Sequence, residues 1–229
     1  MKRFAIGDLH LSHSSEKPMD LFGDHWREHT QKIKENWEKQ ITDEDVVLIP
    51  GDISWAMRLK EAKKDLDWLN KLPGKKICIR GNHDYWWDRP KKLADAYPQM
   101  VFLQNTSYTL GGITFCGTRG WICPNTINFT PEDERLFTRE LERLKLSLDA
   151  AMKQGAVEIW VMLHYPPTYG NEKNSPLTEL LKRYPVKRVI YGHLHDKHSW
   201  NMALQGHYGG IQYQLVSADY LEFSPLLLL

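Results

Sequence analysis

The chain has 229 residues, of which 41% are hydrophobic and 26% charged, an ordinary composition for a globular protein with a sizeable core. Its 30 Lys and Arg residues nearly balance 29 Asp and Glu residues, so the net charge of +1 indicates neither a stable nucleic-acid complex nor attachment to an anionic membrane. The three cysteines, Cys78, Cys116 and Cys123, contain no CxxC pair and predict no disulfide framework, which suits a reducing cytosol.

Neither end of the chain carries a recognisable targeting or membrane signal. The carboxylate of Asp8 interrupts the N-terminal segment before an apolar stretch of signal-peptide length can form. The apolar run at residues 226–229 is far too short to span a bilayer, and we expect it to pack on a neighbouring surface. The sequence therefore predicts a cytoplasmic protein without membrane association, and it gives no indication of the oligomeric state.

Strand-like and helix-like segments alternate along the chain. Short apolar runs with β-branched residues predict strands at residues 4–6, 46–49, 77–79, 159–163 and 189–191. Helical periodicity covers residues 24–40, 58–71, 131–154 and 175–183. Residues 100–118 predict short strands with a Gly111-Gly112 hairpin turn, and residues 198–216 also indicate strand, turn and strand. Together these patterns predict an α/β fold with a mixed sheet, and without a linker the chain is expected to form one domain over residues 1–229.

Each of the five predicted main strands ends at a cluster of Asp, His or Asn side chains. The clusters are Asp8 with His10, Asp52, Asn82 with His83, His164, and His193 with His195. Because ligands bind outside the carboxyl ends of the strands in open α/β sheets, we expect these side chains to converge. Imidazole and carboxylate together bind zinc, manganese or iron, and one ion takes about four to six donors. These donors are too many for one ion and suit a two-metal site.

These residues resemble the motif series of the calcineurin-like metallophosphoesterases, and within them the broad prokaryotic phosphoesterase group. The matching motifs are Asp8-x-His10, Gly51-Asp52, Gly81-Asn82-His83-Asp84, His164 and Gly192-His193-x-His195, in the family's order. The resemblance implies a four-layer α/β/β/α sandwich of two mixed sheets flanked by helices. It also implies two divalent or mixed-valence metal ions (Mn, Fe or Zn). Asp8, His10 and His195 would hold the first ion, Asn82, His164 and His193 the second, and Asp52 would bridge them.

The same resemblance implies a reaction, the hydrolysis of a phosphate ester by metal-bound hydroxide. Asp52 and His83 are the predicted catalytic residues, and His83 would face the substrate to stabilise phosphate charge or protonate the leaving group. Asp84 either orients His83 or supports its loop, and support of the loop is the preferred interpretation. The protein Ser/Thr phosphatases of this superfamily carry GD-x-x-D-R-G, but Trp55 and Ala56 replace its second Asp and its Arg here. This departure argues against a protein phosphatase and leaves His83 without an assigned orienting partner.

Two further residues are predicted to bind substrate beside His83. Arg119, on a Gly-flanked loop, is the candidate phosphate contact, with a solvated loop arginine as the alternative. Trp86, two residues beyond Asp84, is the candidate for stacking on a flat group, with packing under the loop as the alternative. These aromatic loops favour a phosphodiester substrate, of which a nucleotide is one candidate. The alternatives are a phosphomonoesterase of the same fold and a non-catalytic metal-binding interaction scaffold.

Overall fold

The computed structural model describes residues 1–14, 17–124, 126–168 and 170–229, and two β-sheets form its centre. The first sheet has the order β11-β1-β2-β3-β4, comprising Leu226–Leu227, Arg3–Ala5, Val46–Ile49, Lys75–Cys78 and Met100–Phe102. The second has the order β5-β6-β7-β8-β10-β9, comprising Tyr108–Leu110, Ile113–Thr118, Ile159–Leu163, Val186–Tyr191, Ile211–Leu215 and Gly206–Tyr208. Strands β1 to β4 are parallel, as are β6, β7, β8 and β10. Edge strands β11, β5 and β9 are antiparallel, so both sheets are mixed.

Helices cover the outer face of each sheet. They are α1 (His29–Gln40), α2 (Leu59–Lys71), α3 (Pro90–Ala96), α4 (Pro131–Lys153), α5 (Pro176–Leu181) and α6 (Lys197–Met202). One buried apolar cluster joins the first sheet to α1, α2 and α3, and a second joins the other sheet to α4 and α5. A third lies between the sheets, where Leu48 and Ile77 share a core with Phe115 and Met162. These three clusters fill the three interfaces between four layers and confirm the predicted α/β/β/α architecture.

Helix α4 follows directly from local sequence. Thr130 accepts a hydrogen bond from the Asp133 backbone N–H, and the Asp133 carboxylate accepts one in return from the Thr130 N–H. Pro131 fits the first helical position, and acidic side chains in the first turn favour the positive end of the helix dipole. Gly155, with φ of +75°, follows the C-terminus. The helix predicted over residues 131–154 is confirmed almost to the residue.

Other predicted elements differ from the structure in length or type. The helix predicted over residues 24–40 is divided into a short 3₁₀ helix, Asp24–Trp26, and α1, because Glu28 has a left-handed φ of 56°. The strand, turn and strand predicted over residues 198–216 are present as β9 and β10, but they begin only at Gly206, because α6 occupies the start of this region. Helices of six or seven residues, such as α6 and α3, are too short to establish a periodicity. None of the helices in the described ranges combines the length and apolar character needed to cross a membrane.

Candidate metal centre

The loops that follow strands of both sheets meet at one edge of the molecule. Within the first sheet, the Asp8 N–H donates to the Gly51 carbonyl at 3.0 Å. Between the sheets, the His193 N–H donates to Asp8 Oδ2 at 2.9 Å, and His164 Nδ1 lies 3.0 Å from the Pro50 carbonyl oxygen. Residues far apart in sequence are therefore joined around one point, as the position of the clusters at strand ends predicted.

The backbone around this point is strained and tightly packed. Four of the predicted ligands have a left-handed φ between 45° and 75°: Asp8, His10, Asp52 and His193. Such a conformation costs about 1–3 kcal/mol for a residue other than glycine and is concentrated at functional sites. Two glycines make room for the carboxylates, because a Cβ atom at Gly81 would collide with Asp52 and one at Gly192 with Asp8. Gly81 and Gly192 thus each leave room for a carboxylate that belongs to a different motif.

A first set of donor atoms consists of Asp8 Oδ1, His10 Nε2 and His195 Nε2, all within 4.8 Å of one another. The two imidazole nitrogens are 3.5 Å apart, and His195 Nε2 is 3.9 Å from Asp8 Oδ1. Asp8 Oδ1 is buried and has no hydrogen-bond partner in the described part of the chain. A buried carboxylate oxygen without a partner is costly, and a cation in contact with it would remove that cost.

A second set of donor atoms lies beside the first and shares one oxygen with it. Asn82 Oδ1 is 2.5 Å from His164 Nε2 and 3.0 Å from His193 Nδ1, and these two nitrogens are 3.2 Å apart. Asp52 Oδ2 is 3.5 Å from His164 Nε2 in this set and 3.8 Å from His10 Nε2 in the first. The side chain of Asp52 therefore lies between the two sets.

Hydrogen bonds behind the donor atoms determine which ring nitrogen faces the centre. The Pro50 carbonyl can only accept, so His164 Nδ1 carries the proton and the lone pair of Nε2 points inward. Asp219 Oδ1 lies 3.0 Å from His195 Nδ1 and orients that ring in the same way. Sequence analysis missed Asp219, which is buried and lies just beyond β10. Its signal was the same as that of the other ligands, an acidic side chain at the carboxyl end of a strand.

Replacing Asp219 should weaken metal binding without blocking the chemistry at saturating metal. We expect Asp219→Ala to reduce manganese affinity by about 10–100-fold, since His195 would lose its orienting hydrogen bond, and Asp219→Asn to give an intermediate loss because it keeps an acceptor. Equilibrium dialysis against Mn²⁺ measures this, with the exposed Asp24→Asn as the control. Unchanged affinity in both Asp219 variants would show that His195 needs no such support.

The electrostatics of the cluster suit a cation. Burial raises the pKa of Asp8 to about 6, and burial together with the charges of Asp84 and Asp8 raises the pKa of Asp52. Burial lowers the pKa of His10 and His164, and it lowers the pKa of His193 to about 3, so these rings are neutral at neutral pH. Neutral imidazoles and crowded carboxylates are the donor set of a transition-metal site, and the residues therefore fit bound metal.

Asp84 supports the loop that carries Asn82 and His83. Its buried carboxylate accepts hydrogen bonds from the backbone N–H groups of Ile53, Ser54 and Gly81 and from the Trp86 indole N–H. These contacts tie the loop after β3 to the loop after β2. Asp84 thus has the structural role that the sequence favoured, rather than contact with the His83 ring.

The His83 ring lies at the rim of the centre against Trp55. Their ring centroids are 4.2 Å apart, and Trp55 also stacks on His10 at 4.8 Å. Trp55 stands where the related phosphatases have the Asp that orients the catalytic His, so here an aromatic contact takes that place. Burial, followed by the charges of Lys17 and His195, lowers the pKa of His83. No described side chain forms a hydrogen bond with its ring nitrogens, and these remain available to a substrate.

A small, mostly apolar cavity of about 160 Å³ opens beside His83. Its lining consists of His10, Met19, Phe22, Trp26, Trp55, His83 and His195. Phe22 is 64% exposed and lies nearly parallel to Trp55 with 6.5 Å between ring centroids. Sequence analysis did not single out Met19, Phe22 or Trp26, because they precede the first helix and belong to no motif.

Trp86 and Arg119, the two other residues predicted to contact substrate, do not line the aromatic cavity. Trp86 is only 2% exposed and donates its indole N–H to Asp84, so neither face of the ring can stack on a substrate, and packing under the loop is correct instead. Arg119 stacks over Trp121 and points toward Glu140, with 3.5 Å between its guanidinium and Glu140 Oε1. Burial lowers the pKa of Arg119, and Glu140 opposes that shift. Arg119, with a side chain only 16% exposed, is thus not a solvated loop residue but part of a charged cluster around the buried Glu140.

A buried carboxylate–imidazole–amide cluster at the sheet edge of an α/β/β/α sandwich defines a metal-binding protein of the phosphoesterase type. The sequence model described as calcineurin-like phosphoesterase matches residues 1–197. The chain therefore belongs to the calcineurin-like phosphoesterase family, whose members are metal-dependent phosphoester hydrolases.

Individual relatives are distant. The Gene 66 protein of Mycobacterium phage D29 is 38% identical over 78 residues, which cover 34% of this chain and 37% of that protein. A probable cyclic nucleotide phosphodiesterase of Synechococcus is 24% identical over 164 residues, 66% of this chain and 58% of that protein. The chain thus matches 37% and 58% of the length of these two curated relatives, less than two thirds of either. Phosphopantetheinyl hydrolase from Mycobacterium tuberculosis shares the fold, with a TM-score of 0.56 and 16% identity, over 100% of this chain and 95% of that one.

Proposed function

We propose that the chain hydrolyses a phosphate ester with two metal ions and prefers a phosphodiester. Asp8, His10 and His195 would hold the first ion, and Asn82, His164 and His193 would hold the second. The observation that carries this proposal is the position of Asp52 Oδ2, within 3.8 Å of a ring nitrogen in each donor set. Mixed donors of these types bind manganese, iron and zinc.

The protein's own residues account for the other requirements of the reaction. When bound, two such ions supply positive charge for the phosphate oxygens and lower the pKa of water to about 7. Asp52 Oδ2, between the two donor sets, would place its charge between the ions, and Asp52 Oδ1 accepts the His83 backbone N–H at 2.8 Å, which holds His83 beside the centre. The single N–H of the neutral His83 ring can donate to a phosphate oxygen or to the leaving oxygen. Trp55 limits the rotation of the His83 ring by packing against it.

The aromatic cavity supports a diester with a flat leaving group. It borders His83, His10 and His195, so a group seated there lies next to a phosphate held at the centre. Stacking of a flat ring on Phe22 or Trp55 contributes about 1–3 kcal/mol. The Synechococcus relative, named as a probable cyclic nucleotide phosphodiesterase, favours a nucleotide among such substrates.

Hydrolysis of bis(p-nitrophenyl) phosphate beside p-nitrophenyl phosphate tests the proposal. We expect metal-stripped protein resupplied with Mn²⁺ to cleave the diester with the higher kcat/KM. The Phe22→Ala variant should raise KM for the diester by about fivefold or more, because it removes one stacking surface from the cavity. Leu21→Ala is the matched control, since Leu21 is 81% exposed in the same short helix and does not line the cavity.

Other outcomes would change the proposal in defined ways. Preference for the monoester would identify a phosphomonoesterase of the same fold. An equal effect of the Phe22 and Leu21 variants would remove the aromatic cavity from substrate binding. Tight metal binding without turnover of either substrate would favour the non-catalytic scaffold.

A further inference from the structure

A second cavity, of about 180 Å³, lies beside the metal centre and is lined by arginines. It opens where the carboxyl ends of β3, β4 and β6 meet α4. Arg80, in its wall, is two residues before Asn82, and the carbonyl of Arg119 accepts the backbone N–H of His164 at 3.0 Å. The arginine cavity is therefore adjacent to the second donor set, whereas the aromatic cavity borders the first.

The charges that face the arginine cavity do not balance. Its charged lining consists of Arg80, Arg119, Arg139, Arg143 and the single carboxylate of Glu140. Glu140 is buried and already accepts hydrogen bonds from the Thr118 hydroxyl at 2.6 Å and from Arg143 at 2.7 Å. The guanidinium groups of Arg119 and Arg139 both lie 3.5 Å from Glu140 Oε1, which is long for a hydrogen bond. One carboxylate thus faces four guanidinium groups.

Several donors in the arginine cavity are unused. Arg119 Nε and Arg139 Nε are buried and have no hydrogen-bond partner among the described residues. Arg80 forms no ion pair in the described part of the chain and donates its Nε–H to the Asp84 carbonyl, so its terminal nitrogens remain free of a carboxylate. Gln104, in the same lining, accepts the Trp87 indole N–H through Oε1, so that bond does not use its amide N–H groups. Buried, unpaired guanidinium donors are costly unless an anion joins them.

We propose that the arginine cavity binds an anionic group, namely a second phosphate of the substrate. Planar guanidinium groups recognise phosphate through paired N–H donors, and one phosphate could engage Arg80, Arg119 and Arg139 together. The assignment to a substrate rests on the proposed function, because it places a second phosphate next to the one held at the metal centre. The substrate class is then a phosphodiester that carries an additional phosphate, and this second phosphate would lie near Asn82.

Calorimetric titration of the manganese-loaded protein with sulfate tests the anion site without requiring turnover. We expect wild type to bind sulfate in the arginine cavity, and Arg139→Gln and Arg80→Gln each to weaken that binding by about tenfold or more, the effect of losing one charged hydrogen bond. Arg135→Gln is the matched control, since Arg135 lies one turn earlier on α4 and pairs with Glu132 on the exposed surface. Sulfate binding equal to that of wild type in either cavity variant would overturn the proposal, so one variant that folds is enough for the test.

A matched pair of chromogenic substrates tests whether the anion belongs to the substrate. Thymidine 5′-(p-nitrophenyl phosphate) and its 3′-phosphorylated form differ only in the second phosphate. We expect the 3′-phosphate to lower KM by about tenfold in wild type and in the Arg135 variant, but not in Arg139→Gln. Equal KM values for the two substrates in wild type would overturn the assignment to a substrate. Failure of the proposed function would instead appear as no turnover of either substrate, with the sulfate titration unchanged.

Discussion

Asp52→Asn should abolish most of the activity and stabilise the metal-free protein at the same time. Removing the charge of the oxygen shared by both donor sets should lower kcat by about 10³-fold, the equivalent of several kcal/mol of lost charge stabilisation. Metal content should fall from two ions per chain toward one. Hydrolysis of bis(p-nitrophenyl) phosphate and elemental analysis of the dialysed protein measure both effects.

The Tm of the metal-free form distinguishes the loss of the Asp52 charge from general damage to the fold. Burial raises the pKa of Asp52 above its unfolded value, so the ionised carboxylate disfavours the folded state at all pH values above the unfolded pKa. At pH 7 the neutral Asn side chain removes that cost, and the Tm of the metal-free variant should rise. A variant damaged in its packing would lose activity and Tm together.

Asp24→Asn is the control for the loss of one carboxylate, because the Asp24 side chain is 92% exposed and pairs only with the exposed Arg27 among the described residues. It should leave kcat, metal content and Tm unchanged. An Asp52→Asn protein that keeps two ions and wild-type turnover would rule out Asp52 as the bridging ligand.

His83→Ala should lower kcat by about 10²–10⁴-fold while both metal ions stay bound. The reason is that His83 contributes to neither donor set, and its ring nitrogens have no partner among the described residues. The loss should be greatest for substrates with a poor leaving group if His83 protonates the leaving oxygen. Comparing p-nitrophenyl with phenyl esters measures that difference.

The exposed His207→Ala variant is the control for the loss of an imidazole. Metal analysis of His83→Ala decides between the possible roles of this residue. Loss of an ion together with activity would show that His83 supports the metal centre through Trp55 and His10 rather than contacting substrate.

Local patterns predicted most of the fold but not its short elements. Helix α4 was predicted because its cap, first-turn charges and terminal glycine lie within a single stretch of sequence. Helix α6 was missed because its six residues depend on one capping side chain, Asp196, and on the packing of Trp200 against the second sheet. The break at Glu28 was missed for a related reason, since the apolar spacing on both sides of it suits one helix.

Local sequence also failed to predict which way aromatic and charged side chains point. Trp86 follows His83 closely in sequence and was predicted to face the substrate, yet the hydrogen bond to Asp84 turns it into the core. Phe22, which does line the aromatic cavity beside His83, belongs to none of the motifs. Arg119 was singled out from its loop, but its partners Glu140 and Arg139 lie on α4 and gave no sign of a charged cavity.

The sequence by itself determined the α/β class and the residue types that the strand ends deliver, because hydrophobic periodicity and the order of motifs are properties of contiguous segments. The layered sandwich followed only from the family resemblance that those motifs carry. Only the tertiary structure decided which donor atoms share a point, that Asp52 lies between the two sets and that Asp219 orients His195. It also decided that an aromatic cavity and an arginine cavity flank the centre. The physical reason is that each of these features depends on how the two sheets pack and how the side chains turn, and no local pattern records either.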